Sequence, residues 1–363
     1  MEKLSVGIIG AGYIGREHAR SLRLVRPMFG DKLTIAAIAD KNLEAAQLAA
    51  RDFEIGYATD DVNSVIDDPN VNVIFSCLPT KFHIDVIERA AKLGKPIFFE
   101  KPFAVSMEQA HAVNKIFTET GVPNQVGFVL RYAPTYHALK KLLDERPKES
   151  PLRTVILRDD QKFPISGISH FTDWRSKVDL AGAGVLIEHG IHDLDLFEWL
   201  FGKVARVSAR KENHHGYEGI EDYMEVRMEF ASGVTGNMVH LWHDIPAHQS
   251  IRHFEIFFNK ALITLDPYDM HHITVRDEKA ESKLERPDLY QMIVNDPLFK
   301  DLSMREDMLF VSDYYAIQDY WFVRNLLENN PLSPTIADGL RAYTVGNACY
   351  KSAEQDGAWV TIE

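Results

Sequence analysis

The stretch Val6-Gly7-Ile8-Ile9-Gly10-Ala11-Gly12-Tyr13-Ile14-Gly15 joins an apolar run of strand length to a G-x-G-x-x-G turn, and helical spacing follows from about 14 to 26. That order, strand then glycine turn then helix, is the setting in which the glycines have a physical task. Gly10 permits the tight turn, Gly12 lets the backbone approach a pyrophosphate, and Gly15 lets helix and strand pack closely. The helix N-terminus adds free N–H groups and a partial positive charge for the anion. Tyr13 and Ile14 fall inside the same turn and are assigned to it. Asp40 ends the second strandlike run, twenty-five residues past Gly15. A carboxylate there accepts from both ribose hydroxyls and repels a 2′-phosphate, so NAD is expected over NADP. Lys41 beside it tolerates a phosphate and keeps NADP open. The plainer reading is that Asp40 only starts the next helix.

Outward from this turn, the first 128 residues alternate short apolar runs with helical patterns. Val6–Ile9, Leu33–Ala39, Val71–Phe75, Pro96–Phe99 and Pro123–Phe128 read as strands, and 14–26, 42–52, 80–93 and 106–119 as helices. Such alternation specifies crossover units and a doubly wound parallel sheet. Gly94 closes one helix, and Ser106 with Gln109 reads as a capping box.

Past about residue 130 the period changes. In Asp222–Phe230, Met224, Val226, Met228 and Phe230 share one face, and Glu225, Arg227 and Glu229 the other. That is a strand with one wetted face. Runs at 153–162, 204–211, 234–243, 251–258 and 261–265 are similar, which predicts an open, mainly antiparallel sheet. Helices are expected at 134–145, 185–200, 305–328 and 336–354. The aromatic-rich stretch Leu309–Leu327 reads as packing against core or subunit. Segment 267–304 is polar and matches no period; rimming a pocket is one use for it. The domains are therefore 1–128 and 129–363, with the final helix free to pack back toward the first.

Composition narrows the function. The 53 acidic residues outnumber 40 Lys plus Arg, for a net charge of −13. Such a chain repels phosphate backbones and anionic membranes, so neither nucleic acid nor membrane is an expected partner. No apolar run reaches the roughly 18 residues of a membrane span. The first strand runs straight into the glycine turn, which argues against a cleavable leader. Only Cys77 and Cys349 are present, far apart and outside any C-x-x-C, which excludes a disulfide framework and a thiolate zinc site and suits a reducing, cytoplasmic setting.

Two further clusters carry chemistry. In a parallel sheet ligands bind beyond the carboxyl ends of the strands. That edge carries Cys77-Leu78-Pro79 and Glu100-Lys101-Pro102, where Pro102 biases Lys101 toward an extended conformation at the strand end. The second cluster is Gly182–Asp195. On a helix, Glu188, His192 and Asp195 stand at i, i+4 and i+7, giving one face two carboxylates and an imidazole. His192 suits proton abstraction near neutral pH, oriented by a carboxylate. A solvated ion-pair surface and a divalent-metal site are the competing readings. The first must explain Gly190, which costs a helix about 1 kcal/mol and implies close approach to another backbone or a cofactor. The second lacks a full ligand set, and no metal is expected.

Together, Gly10–Gly15 with His18, Cys77-Leu78-Pro79 to His83, Glu100-Lys101-Pro102, Trp174-Arg175, Gly182–Asp195 and Asp338-Gly339-Leu340-Arg341 resemble the Gfo/Idh/MocA oxidoreductases in order and spacing. The resemblance implies an N-terminal Rossmann domain and a C-terminal α/β domain on a large open-faced sheet. It implies homodimers or homotetramers joined through that sheet. It places cofactor contacts at Cys77, Leu78, Pro79, His83, Glu100 and Lys101. Lys101, Glu188 and His192 become catalytic, with Trp174, Arg175 and Asp195 joining them in binding a sugar, polyol or cyclitol. Glu188 stands where the family usually has an aspartate, and one extra methylene displaces the carboxylate by roughly 1 Å. The expected activity is hydride transfer between a nicotinamide and a carbinol carbon. Alternatives are a non-catalytic NAD(P)-binding regulator on the same fold, the family's NAD-dependent glycosidase branch and, outside it, a metal-dependent hydrolase.

Overall fold

The computed structural model describes residues 1–146, 149–164, 173–265, 272–300, 302 and 314–362. The chain folds into two units. One comprises Met1–Val129, Asp179–Gly182 and Tyr315–Arg341; the other comprises Leu130–Val178, Ala183–Tyr314 and Ala342–Glu363.

In the first unit β1 (Leu4–Ile9), β2 (Leu33–Ala39), β3 (Tyr57–Thr59), β4 (Val73–Ser76), β5 (Ile97–Phe99) and β6 (Asn124–Val126) form one sheet in the order β3-β2-β1-β4-β5-β6. Every pairing is parallel, as the strand–helix alternation required. Helices α1 (Tyr13–Phe29), α2 (Leu43–Phe53), α3 (Val62–Asp67), α4 (His83–Lys92) and α5 (Met107–Thr120) fill the crossovers. Both β4 and β5 are buried throughout, which is why they read as unbroken apolar runs. The order reverses between β1 and β4, the topological switch point at which doubly wound sheets bind ligands. Strand β3 and helix α3 had no sequence signal: three residues with a partly exposed edge show no period. The Ser106 hydroxyl accepts from the Gln109 N–H at 3.2 Å as a cap should. The reciprocal bond goes one residue earlier, from the Val105 N–H to the Gln109 side chain.

The segment Tyr315–Arg341 joins this unit through the aromatic residues of α10 (Tyr314–Glu328). Phe322 is buried edge-on to Phe75 and Phe98 at 5.3 and 5.6 Å, and Tyr320 lies 5.1 Å from Phe29. Those aromatics are core. Phe310 and the rest of 303–313 lie outside the described residues. The backbone continues the attachment, with Val126 N–H donating to the Pro334 carbonyl at 2.9 Å and Ile336 N–H to Asn124 at 2.8 Å. Helix α11 (Ile336–Ala353) belongs to the first unit up to Arg341 and to the second from Ala342.

Among the described residues the second unit is built on nine strands, β7 (Leu152–Lys162), β8 (Val204–Glu212), β9 (Tyr223–Phe230), β10 (Thr235–His243), β11 (Ile251–Phe258), β12 (Ala261–Leu265), β13 (Ile273–Asp277), β14 (Glu281–Leu284) and β15 (Val360–Thr361). Their order is β14-β13-β12-β11-β7-β10-β9-β8-β15. All neighbours are antiparallel except β7 and β10, which run parallel at the centre. The period of two holds: Met224, Val226, Met228 and Phe230 are buried, whereas Glu225 and Arg227 are exposed. Helices α6 (Pro134–Asp144) and, after the single turn α7 (Val178–Ala181), α8 (Ile191–Phe201) follow in the chain; α6 and α8 cover one face, with Phe197 and Tyr136 against Phe254. The other face leaves Ile156 36% exposed beside exposed Arg158, so the sheet is open-faced. Segment 267–304, unassigned from its pattern, supplies β13, β14 and α9 (Arg286–Ile293) where it is described. Among the described residues no helix is long and apolar enough to cross a membrane.

Candidate functional site

In the first unit the glycine turn is as the motif required. The Gly10 N–H donates to the Ala39 carbonyl at 2.7 Å, and its φ of +104° is a conformation that side chains disfavour. A Cβ at Gly10 would overlap the Cys77 carbonyl oxygen, and one at Gly15 would overlap that of Gly10. Gly12 differs: it is exposed, has extended backbone, and a Cβ there would meet nothing of the protein within 4 Å. The turn therefore fits a pyrophosphate, with two glycines shaping it and the third leaving room for close approach. Tyr13 is 67% exposed beside it, and Ile14 is half-buried.

Asp40 has a role that the motif did not show. Its Oδ2 accepts from the Ala11 N–H at 2.7 Å and its Oδ1 from the Asn42 N–H at 2.9 Å, so it ties the glycine turn to the end of β2. The helix cap itself is Asn42, whose side chain accepts from Ala45. Lys41 is exposed.

At the ends of β4 and β5, Cys77 is buried and Leu78 and Pro79 half-buried. Burial and the nearby Glu100 and Asp319 charges push the Cys77 thiol well above its ordinary range. His83 lies beneath this turn, its Nδ1 bonded to the Ser76 hydroxyl at 2.9 Å. Burial pulls its pKa down to about 3, against a hydrogen bond at Leu78. It is a neutral brace for the turn. This gives stability a sign with pH. An unfolded histidine protonates near 6.5, whereas His83 refuses the proton until about 3. Stability therefore falls as pH drops through that window, because the unfolded state binds the extra proton. Urea midpoints at pH 7 and 4.5 should fall further in the wild type than in His83→Gln; equal falls would contradict this.

Glu100 is buried and bridges two partners. One oxygen accepts from His18 Nε2 at 3.0 Å and the other from the backbone N–H of Lys101 at 3.2 Å. Lys101, half-buried, precedes a cis bond to Pro102. His18 also donates from Nδ1 to buried Asp319 at 3.0 Å. Burial opposes its charge, but the Asp319 and Glu100 carboxylates outweigh that and push its pKa up to about 10.

In the second unit the helix read as continuous from 185 to 200 begins with a π-type turn, Leu186–Gly190, and continues as α8. Such widened turns concentrate at functional sites. Gly190 is explained here, though by neither of the expected neighbours. A Cβ on it would lie 3.0 Å from the ring of His240, so the close approach is to a side chain. Gly184 likewise passes so near the backbone of Glu221 that a Cβ would overlap it. The buried Glu221 carboxylate caps the turn, accepting from the N–H groups of Gly184 at 2.8 Å and Leu186 at 3.0 Å and from the Tyr350 hydroxyl at 2.7 Å.

Each expected carboxylate has an arginine. Glu188 accepts from Arg175 Nε at 2.6 Å, and the Arg175 guanidinium lies 4.4 Å from the ring centroid of half-buried Trp174. Asp195 is held at both oxygens by Arg131, at 2.8 and 2.6 Å. Arg131 thus pairs with both oxygens of Asp195, whereas Arg175 pairs with one oxygen of Glu188. His192 is buried on α8, its ring 6.5 Å from that of His189.

The helix is tied to the sheet by His189 and Asp193 of the cluster and by Asp159, His240 and Arg252, which no sequence spacing pointed to. His189 donates to Asp159 at 2.9 Å, Arg252 to Asp159 and, at 3.2 Å, to Asp193, and His240 to Asp193 at 2.9 Å. Burial opposes ionisation of Asp159, but the Arg252 and His189 charges hold its carboxyl well below the usual range. Asp159, His240 and Arg252 come from β7, β10 and β11, so only sheet pairing assembles them. A second group, Asp160, His243 and His248, has metal-ligand composition. His243 Nδ1 accepts the Ile245 N–H at 3.1 Å, which leaves its own proton on Nε2, the atom that would have to ligate.

A family model described as "Oxidoreductase family, NAD-binding Rossmann fold" matches residues 4–128, and one described as "Oxidoreductase family, C-terminal alpha/beta domain" matches 160–362. The levoglucosan dehydrogenase of Pseudarthrobacter phenanthrenivorans is 25% identical over 394 residues, covering 100% of this chain and 99% of that protein. The scyllo-inositol 2-dehydrogenase (NAD(+)) of Bacillus subtilis is 30% identical over 281 residues, covering 76% and 77%. The solved structure of a levoglucosan dehydrogenase in complex with NADH and levoglucosan shares the fold, with a TM-score of 0.83 over 99% of both chains at 23% identity. With a Rossmann unit that carries the glycine turn and a second unit on an open-faced sheet, each matched by a family model, this chain belongs to the Gfo/Idh/MocA oxidoreductase family.

Proposed function

We propose that this protein is an NAD-dependent dehydrogenase that oxidises a carbinol of a polyol, cyclitol or sugar, or reduces the corresponding carbonyl. The observation that carries the reading is the place of Lys101, just past the carboxyl end of β5 on the same sheet edge as the glycine turn, with its backbone N–H bonded to Glu100. The relatives named as dehydrogenases of levoglucosan and scyllo-inositol support the substrate class.

Gly10, Gly12, Tyr13, Ile14, Gly15 and Asp40 hold the dinucleotide, with Lys41 and the Cys77–Pro79 turn braced by His83 at its border. Bound there, the nicotinamide supplies the two-electron acceptor for the carbinol hydride. The protein's residues handle the proton. His192 takes it from the substrate hydroxyl, and Lys101 stabilises the oxygen as it becomes a carbonyl. Glu188, its charge shared with Arg175, supports the imidazolium that forms. Asp195, fixed by Arg131, presents a rigid acceptor to a neighbouring hydroxyl, and Trp174 forms an apolar wall for the sugar ring. The same reading makes the enzyme a cytoplasmic homodimer or homotetramer joined through the open sheet face around Ile156.

A cofactor-reduction screen over inositols, hexoses, sugar phosphates and nucleotide sugars tests the activity. Net NADH formation with at least one of these is expected. A regulator would show cofactor binding without turnover, and a glycosidase would release sugar with no net NADH. In the same assay Asp40→Ala should lower the NAD over NADP preference in kcat/KM by about 10-fold, equivalent to 1.4 kcal/mol. An unchanged ratio would remove Asp40 from cofactor selection.

A further inference from the structure

We propose that His18 is a positioning residue for Lys101, acting through Glu100. The inference rests on the reading of Lys101 as the reacting amine and adds a residue that never touches substrate. His18 sits on α1, one turn past Gly15, and both its ring nitrogens meet carboxylates at 3.0 Å, Nδ1 on Asp319 and Nε2 on Glu100. With a carboxylate on each ring nitrogen and its pKa pushed up to about 10, the imidazole carries both protons at neutral pH and is a cation between two anions. All three side chains are buried, with the rings of Phe75 and Phe98 at 5.4 and 4.8 Å from that of His18.

Ion groups so deeply buried are poor stabilisers, since apolar residues of equal volume often hold a core as well or better. Their value lies in geometry. Glu100 is the link: with one oxygen fixed by His18, its other oxygen is aimed at the Lys101 N–H at 3.2 Å. Room for the carboxylate comes from Gly127, where a Cβ would fall 2.5 Å from Glu100 Oε1. The trio carries a net charge of one negative unit directly behind a lysine. Cys77, Glu17 and Tyr315 are the other titratable groups around it. Removing the His18 cation forces one carboxylate to take a proton and releases Glu100 from its fixed rotamer, so the lysine backbone loses its anchor.

The test uses the full-length protein with NAD. His18→Gln and Glu100→Gln are compared with wild type for kcat, for KM and for acylation of the Lys101 amine across pH, read by peptide mass spectrometry. Expected results are a fall in kcat of about 10–100-fold, a change in KM for NAD below about 3-fold, and an altered Lys101 acylation profile. Asp319→Asn keeps an acceptor for Nδ1 and should lose less than His18→Gln, which leaves a variant to measure if the latter folds poorly. Lower thermal stability with unchanged kcat and unchanged acylation in all three would overturn the proposal. Full turnover in Lys101→Ala would instead sink the functional reading, whereas the acylation arm would still report whether His18 governs that amine.

Discussion

Lys101→Met and His192→Gln each lower kcat by about 10²–10⁴-fold, the range in which positioned acid–base groups contribute. Neither change should unfold the protein. Lys101 is half-buried on a loop beyond β5, and methionine preserves its apolar stem. His192 lies on a helix whose first turns are tied to the sheet through His189 and Asp193. KM for NAD should stay within about 3-fold in both variants, because the glycine turn and Asp40 are untouched. If the two groups serve one reaction as proposed, the double variant should lose much less than the product of the two. Steady-state kinetics on any substrate found by the screen decides the matter. Wild-type turnover in either variant would falsify the assignment of that residue.

Gly15→Ala and Gly12→Ala should fail in opposite ways. The added methyl at Gly15 overlaps the Gly10 carbonyl oxygen, which cannot move without opening the turn that Cys77 closes from the other side. Overpacking of this kind costs about 3 kcal/mol, seen as a fall in Tm of roughly 5–10 °C. At Gly12 the methyl meets no protein atom within 4 Å, and the backbone there is extended. Stability should stay within about 0.5 kcal/mol. The methyl instead occupies the approach needed by the pyrophosphate, so NAD affinity should fall about 10–100-fold. Thermal melts and NAD titrations on the two variants separate the effects. Normal NAD affinity in Gly12→Ala would remove the pyrophosphate from that turn.

Parts of the candidate site were legible because they depend on local rules. The Gly10–Gly15 turn, Asp40 at the end of β2 and Lys101 before a proline each follow from what one short stretch of backbone can do. Gly190 was legible as an anomaly but not as an explanation: a helix pattern shows the cost of a glycine, whereas only the register of β10 shows that the ring of His240 fills the space. The Glu188 and Asp195 carboxylates were found by helical spacing. Arg131 was not, and Arg175 was named only through the resemblance, because neither stands at a fixed offset from its carboxylate.

The same division runs through the fold. The alternation of apolar runs with helical patterns determined a parallel doubly wound sheet, and the period of two in Tyr223–Phe230 determined a strand with one wetted face, since side-chain direction repeats with the local backbone. Strand order, the parallel β7–β10 pair and the return of α10 to the first unit were decided only in three dimensions. So were the ion groups: His18 and Asp319 are 301 residues apart, and Arg252 and Asp159 are 93 apart. A buried charge must find its counter-charge wherever packing brings one near, and that partner leaves no period in the chain.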